Sequence, residues 1–236
     1  MPIYYGGKKL QSLYFGGKKI ASAWYGGKCI YRSLTFLAQP VQLWQWKASN
    51  TVYSVAVDSQ FNVYAGDYNN TVAKLNSSGK QVWQWQAPNT VRFVAVDNQL
   101  NVYAGDNSYN VTKLNSYGNQ LWQWQAPNAV HAVAVDNQFN VYAGDYSNSV
   151  TKLDSTGKQL WQWQDPAAVS AVAVDSQFNV YSGDGSNNVT KLDSTGKQLW
   201  QWQAPGSVNG VAVDSQFNVY AGDSSNNVTK LQTAKQ

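Results

Sequence analysis

Glutamate is absent from this 236-residue chain, whose 13 acidic residues are all aspartate. Any mechanism that needs a catalytic or metal-binding glutamate is excluded by that alone. One cysteine, Cys29, and one histidine, His131, leave no disulfide framework and no His/Cys zinc cluster, and no local motif places a Cys-His pair. Cysteine usage therefore does not report a redox compartment. Apolar runs fall short of the ~18 residues a membrane helix needs. The N-terminus, Met-Pro-Ile-Tyr-Tyr-Gly-Gly-Lys-Lys, lacks the hydrophobic stretch of a signal peptide. The expectation is a soluble protein, not exported by an ordinary leader. Charged residues make up only 13%, so the ionic surface is thin.

Hydrophobic residues reach 43% and aromatic residues 14%, enough for a substantial core and too many for a disordered chain. Asn, Gln, Ser and Thr must supply a neutral, hydrogen-bonding exterior. The length suits one domain with a small appendage.

The organisation follows from internal repeats. VAVD recurs at Val55, Val94, Val133, Val172 and Val211, and WQW at Trp44, Trp83, Trp122, Trp161 and Trp200, each 39 residues after the last. Within a unit, short runs of β-favouring residues alternate with turn residues. In one unit the predicted strands are Val91–Val96, Asn101–Ala104, Val111–Leu114 and Gln120–Trp124. Four antiparallel strands in about 40 residues mark a β-propeller blade. The fold class is all-β: a five-bladed β-propeller over residues 41–235. The first WQW has no strands before it, and the last three-strand unit, Val208 to Leu231, has no WQW after it. Residues 41–46 are therefore predicted to form the outer strand of the last blade, closing the ring without an open edge. Strand exchange between neighbouring chains is the alternative.

Residues 1–33 carry a different, ten-residue repeat: Ile3-Tyr-Tyr-Gly-Gly-Lys-Lys-Leu, Leu13-Tyr-Phe-Gly-Gly-Lys-Lys-Ile and Ala23-Trp-Tyr-Gly-Gly-Lys-Cys-Ile. Gly-Gly between such residues signals a two-residue hairpin. The arm is read as a small β-meander or stack of hairpins, joined by a linker at 34–40. It holds Lys8, Lys9, Lys18, Lys19, Lys28 and Arg32 with no acid, while the rest of the chain has 11 basic residues against 13 Asp. These six residues are the candidate anchor, by which the arm docks on the propeller, on further copies of the chain or on a larger assembly; the alternative is that they only solubilise hairpin edges. The propeller has no basic stripe, so neither nucleic acid nor membrane is an expected partner.

The units VAVDSQFNVYAGDYNNTVAKLNSSGKQVWQW and VAVDSQFNVYSGDGSNNVTKLDSTGKQLWQW resemble NHL-type propellers. KLDSTGKQLW is similar to the tryptophan-docking repeat of quinoprotein-like propellers, one residue shorter between Asp193 and Gly196. The decapeptide arm resembles YxGxKKI repeats of bacteriophage tail and other virion proteins. The first two resemblances imply a fold and little about function; the third implies a virion protein made in the host cytoplasm, with the bacterial cytoplasm as the alternative location. Quinoprotein and lactonase-type propellers use acidic clusters that include Glu around a metal ion, which this chain cannot supply. No cofactor, metal or enzymatic activity is expected. Asp58, Asp97, Asp136, Asp175 and Asp214, with the second set from Asp67 to Asp223, are read as turn acceptors.

A comparison among the units locates the candidate site. The turn between the first and second strands hardly varies (DSQFN, DNQLN, DNQFN), whereas the loop between the second and third does (GDYNNTV, GDNSYNV, GDYSNSV, GDGSNNV, GDSSNNV). The start of the first strand varies too, through Tyr53, Arg92, His131, Ser170 and Asn209. Variation therefore collects on one face. The candidate ligand-binding residues are Tyr53, Tyr68, Asn69, Arg92, Tyr109, His131, Tyr146, Ser170, Asn187 and Asn209. Amide groups and aromatic faces suit sugars, and they suit proteins as well. The paired tryptophans of each WQW are expected to pack between blades. Three functional readings follow: a virion adhesion module recognising cell-surface glycans, a structural decoration or assembly protein of the virion, and a protein-binding scaffold.

Overall fold

The computed structural model describes residues 41–232 and, before them, the backbone of six short strands. The linker predicted at 34–40 lies outside the described residues. The chain divides into two units, Met1–Gln45 and Trp46–Gln236.

In the first unit, β1 (Tyr4–Tyr5) pairs with β2 (Lys8–Lys9), β3 (Tyr14–Phe15) with β4 (Lys18–Lys19), and β5 (Ser22–Tyr25) with β6 (Lys28–Arg32). Tyr5 stands opposite Lys8, Phe15 opposite Lys18 and Tyr25 opposite Lys28, the register that a two-residue Gly-Gly connection demands. The described strands form three separate hairpins. The six basic residues singled out in the arm all lie on the second strand of a hairpin.

The second unit is five antiparallel sheets in chain order. The first consists of β7 (Val52–Val57), β8 (Val63–Asp67), β9 (Thr71–Leu75) and β10 (Gln81–Gln86). The second is β11 (Val91–Val96), β12 (Val102–Asp106), β13 (Asn110–Leu114) and β14 (Gln120–Gln125). The third is β15 (Val130–Val135), β16 (Val141–Asp145), β17 (Ser149–Leu153) and β18 (Gln159–Gln164). The fourth is β19 (Val169–Val174), β20 (Val180–Asp184), β21 (Asn188–Leu192) and β22 (Gln198–Gln203). The fifth has three strands, β23 (Val208–Val213), β24 (Val219–Asp223) and β25 (Val228–Leu231). All described regular structure is β, in a propeller-like repeat.

The core lies between neighbouring sheets. Between the first and second, Tyr64, Val72, Val91, Val102 and Leu114 are fully or almost fully buried, with Trp83 and Trp85 packed against them. Equivalent clusters fill the three following interfaces. Each buried valine or leucine stabilises by roughly 1.5–3 kcal/mol. The tryptophans lie between blades, as their strand alternation predicts. The Trp83 indole also donates to the Ser116 carbonyl of the next sheet at 2.9 Å, and Trp122 and Trp161 repeat the bond at 3.0 and 3.1 Å. Gly118, Gly157 and Gly196, at φ between 83 and 87°, sit under those rings, where an added Cβ would come within 2.9 Å. A side chain there would collide with the indole in a backbone conformation that already disfavours one.

The described strands show the propeller-like repeat without showing ring closure. Residues 41–46 belong to no sheet, the last sheet lacks an outer strand, and β23 does not pack on β7 as the other first strands pack on their successors. In the complete sheets the outer strand follows its partner through a short turn, whereas 41–46 are separated from β25 by the whole array.

Candidate ligand-binding face

The repeated aspartates are engaged in turns. Asp58 accepts the amides of Gln60 and Asn62 at 2.8 and 2.9 Å, the Asn62 side-chain amide at 2.8 Å, and the buried Tyr64 hydroxyl at 2.9 Å. Burial pushes Asp58 up, but these hydrogen bonds together outweigh it and hold the carboxyl below its ordinary value. The arrangement recurs at Asp97, Asp136, Asp175 and Asp214. The second set acts alike: Asp106 accepts the amides of Ser108 and Asn110 at 2.8 and 3.0 Å. Among the described residues no cluster of three metal-ligating side chains occurs.

On the variable face, each sheet carries a β-bulge at the start of its first strand. Val52 pairs with Asp67 and Ser54 with Gly66, so Tyr53 is the extra residue; Arg92, His131, Ser170 and Asn209 occupy the same bulge in the following sheets. A bulged residue has no ladder partner and its side chain is re-aimed away from the sheet. The position that varies most is therefore the one released from the repeat's packing.

The structure brings five of the candidate residues into one run across the first three sheets. The rings of Tyr68 and Tyr53 lie 6.3 Å apart. The Arg92 guanidinium lies 4.5 Å from the Tyr53 ring centre, and its Nε donates to the Asn107 side chain at 3.3 Å. His131 meets Tyr146 edge to face at 4.4 Å. Burial, and then the nearby charge of Arg92, lower the His131 pKa, so the ring is neutral at neutral pH. Among the described residues Arg92 has no carboxylate partner. The Tyr53 ring face attracts the guanidinium, and its hydrogen bond to Asn107 uses Nε.

The other candidates stand apart from this run. Tyr109 is 41% exposed at a left-handed φ of 69° where the other units have Asn, and its carbonyl accepts the Ala126 amide. Asn187 does the same turn work, its carbonyl accepting the Ala204 amide at 2.7 Å. Asn69 is tied to Asn50 and Ser49. Ser170 and Asn209 carry the bulge position into the last two sheets without an aromatic neighbour.

A family model described as outer membrane protein assembly factor BamB matches residues 39–167 and 147–235. The chain belongs to that family. No curated protein matches it. Membership agrees with the quinoprotein-like repeats read from KLDSTGKQLW, and the matched residues are those of the repeat array, leaving the decapeptide arm outside.

Within this BamB-family array one departure escaped the sequence reading. Asp165 replaces the alanine found at 87, 126 and 204, and Ser182 replaces the alanine at 65, 104, 143 and 221. Both are buried, and the Ser182 hydroxyl donates to Asp165 at 2.9 Å. Burial, then a hydrogen bond shared with Asp184 and the negative charge of Asp184, raise the Asp165 pKa far above the ordinary carboxylate range. Two alanines lost together in one unit were the available signal.

Proposed function

We propose that the protein is a non-enzymatic binding module of a phage particle, with its repeat array recognising cell-surface carbohydrate through the variable face and its basic arm attaching it to other virion proteins or to further copies. The observation that carries this reading is the run Tyr68, Tyr53, Arg92, His131 and Tyr146, aromatic and hydrogen-bonding surface in which three successive bulged residues meet two loop tyrosines. Sugars present C–H faces to such rings and hydroxyls to neighbouring amides. The engagement of the repeated aspartates in turns supports a non-catalytic role. The arm's resemblance to virion decapeptide repeats supports the location.

A protein ligand is the second reading. It is favoured by membership of a family described as an assembly factor for outer membrane proteins, and the same rings would serve it. A purely structural virion protein is the third.

The test is a glycan array with a host-cell adhesion assay on the full chain, beside a variant with Tyr53, Tyr68, Arg92, His131 and Tyr146 all replaced by Ala. Glycan and cell binding lost in the variant is the expected result. Cell binding that resists glycosidase and yields to protease favours the protein reading. Binding by neither chain, in a particle that still assembles, favours the structural one.

A further inference from the structure

The four interfaces between successive sheets share one contact. A Cβ added to Gly66 would lie 2.6 Å from a Val91 methyl; the corresponding separations are 2.7 Å for Gly105 and Val130, 2.5 Å for Gly144 and Val169, and 2.5 Å for Gly183 and Val208. Each of these valines is at most 1% exposed. The glycine lets the valine of the following sheet approach the backbone, and the repeat of the contact sets a constant step from sheet to sheet.

Both ends of the array are cut across this same contact. Gly222, at the glycine position of the last sheet, has no neighbour within 4 Å of an added Cβ among the described residues. Val52, at the valine position of the first sheet, is 41% exposed. Val228 is 82% exposed, whereas its equivalents Val72, Val111, Val150 and Val189 are fully buried. An open cleft of about 370 Å³ lined by Trp200, Trp202 and Leu231 marks the same end. Each end thus exposes one half of an interface that the molecule forms four times internally.

The missing outer strand has a candidate in the sequence. Within residues 41–46, Gln42 to Trp46 (Gln-Leu-Trp-Gln-Trp) repeat the first five residues of β14, β18 and β22 and immediately precede the first sheet, as each outer strand precedes the sheet after it. The Gln42 side-chain amide donates to Gln45 at 3.5 Å, the bond that Gln81 makes to Gln84 and Gln120 to Gln123. Val41 and Leu43 are exposed.

We propose that the chain assembles head to tail with further copies of itself. Residues 41–46 of one copy lie along β25 of another as its fourth strand, and Val52 of the first seats against Gly222 of the second. The register of β13 with β14 sets Val111 opposite Trp124 and Lys113 opposite Trp122; by repetition, Trp46 of one copy faces Val228 of the next and Trp44 faces Lys230. Such an interface is heterologous, so the copies form a closed ring where the step closes and a filament where it does not.

The test uses the full chain with Cys29→Ser, Val52→Cys and Gly222→Cys. In the internal interfaces the added Cβ stands 3.1 to 3.2 Å from the valine Cβ, a few tenths of an ångström closer than a disulfide's usual Cβ separation, so a small outward shift of the two backbones accommodates the bond. Cys29→Ser with Gly183→Cys and Val208→Cys, which must bond inside one chain, is the positive control. Mild oxidation is expected to give a ladder of chain multimers on a non-reducing gel. Light scattering of the native chain should show a mass above that of one chain, rising with concentration, and Val228→Asp should reduce it to one chain. A disulfide joining the two introduced thiols within a single chain overturns the proposal in favour of intramolecular closure. A single-chain mass at all concentrations, without cross-linking while the control forms its bond, overturns it in favour of free ends.

Discussion

Ser182 donates its hydroxyl to the Asp165 carboxyl at 2.9 Å, and the pair bridges the boundary between the third and fourth sheets at two positions where the other units carry alanine. A polar pair replaces two of the core's repeated alanines. It is tolerated because the serine satisfies one carboxyl oxygen and Asp165, its pKa raised by burial, carries a proton and no charge at neutral pH.

Stability should therefore depend on pH through this pair. The folded-state pKa of Asp165 is raised, to about 8 from an ordinary 3.8, so the native chain holds the proton more tightly than the unfolded chain. The stabilisation is complete below about pH 4 and is lost as pH rises through about 8. Melting temperatures measured from pH 5 to 9 should fall more steeply for the native chain than for Asp165→Ala with Ser182→Ala, which restores the residues of the other units. Parallel profiles would contradict the raised pKa of Asp165.

Thr112, Thr151 and Thr190 have buried hydroxyls without a hydrogen-bond partner, at a position where the first sheet has Ala73. Thr151→Val keeps the shape and removes the unsatisfied group, and should stabilise by about 1 kcal/mol in denaturant unfolding. A loss of stability would show that the hydroxyl is satisfied in solution.

Gly157→Ala should destabilise by roughly 1–3 kcal/mol, since it adds a methyl at φ 87° and 2.8 Å from the Trp122 ring. Gly185→Ala, whose added Cβ would find its nearest neighbour at 3.9 Å, should be close to neutral. Equal effects would remove the indole contact as the cause.

On the variable face, Tyr53→Ala removes both the ring under Arg92 and the neighbour of Tyr68, and should weaken glycan binding by about 1 kcal/mol, some fivefold. Tyr117→Ala, 79% exposed on a turn of the opposite face, should leave binding unchanged. Titration calorimetry with a glycan from the array decides between them. EDTA should have no effect.

Deleting residues 1–33 should leave a chain with the parental β circular dichroism spectrum that no longer joins its particle. Replacing Lys8, Lys9, Lys18, Lys19 and Lys28 by Gln should weaken attachment, and added salt should mimic the change if the contact is electrostatic. Salt-insensitive attachment would point to hairpin packing.

Strand positions, turn aspartates and interblade tryptophans were legible in the sequence because each depends on local chemistry repeated five times. Alternation sets which face of a strand is apolar, Asx turns need one Asp and nearby amides, and a 39-residue period superposes equivalent positions. Tyr53, Arg92 and His131 could be picked out as variable, but only the sheet register showed that they occupy a bulge, since a bulge is a relation between two strands. Their gathering with Tyr68 and Tyr146, and the raised pKa of the buried Asp165, likewise arise from residues distant in the chain. The ends of the array follow the same division. Complementary halves of a blade can be read from the order of WQW and VAVD, whereas the state of the ends is decided by the step between packed sheets, which in this structure leaves Gly222 and Val52 uncovered.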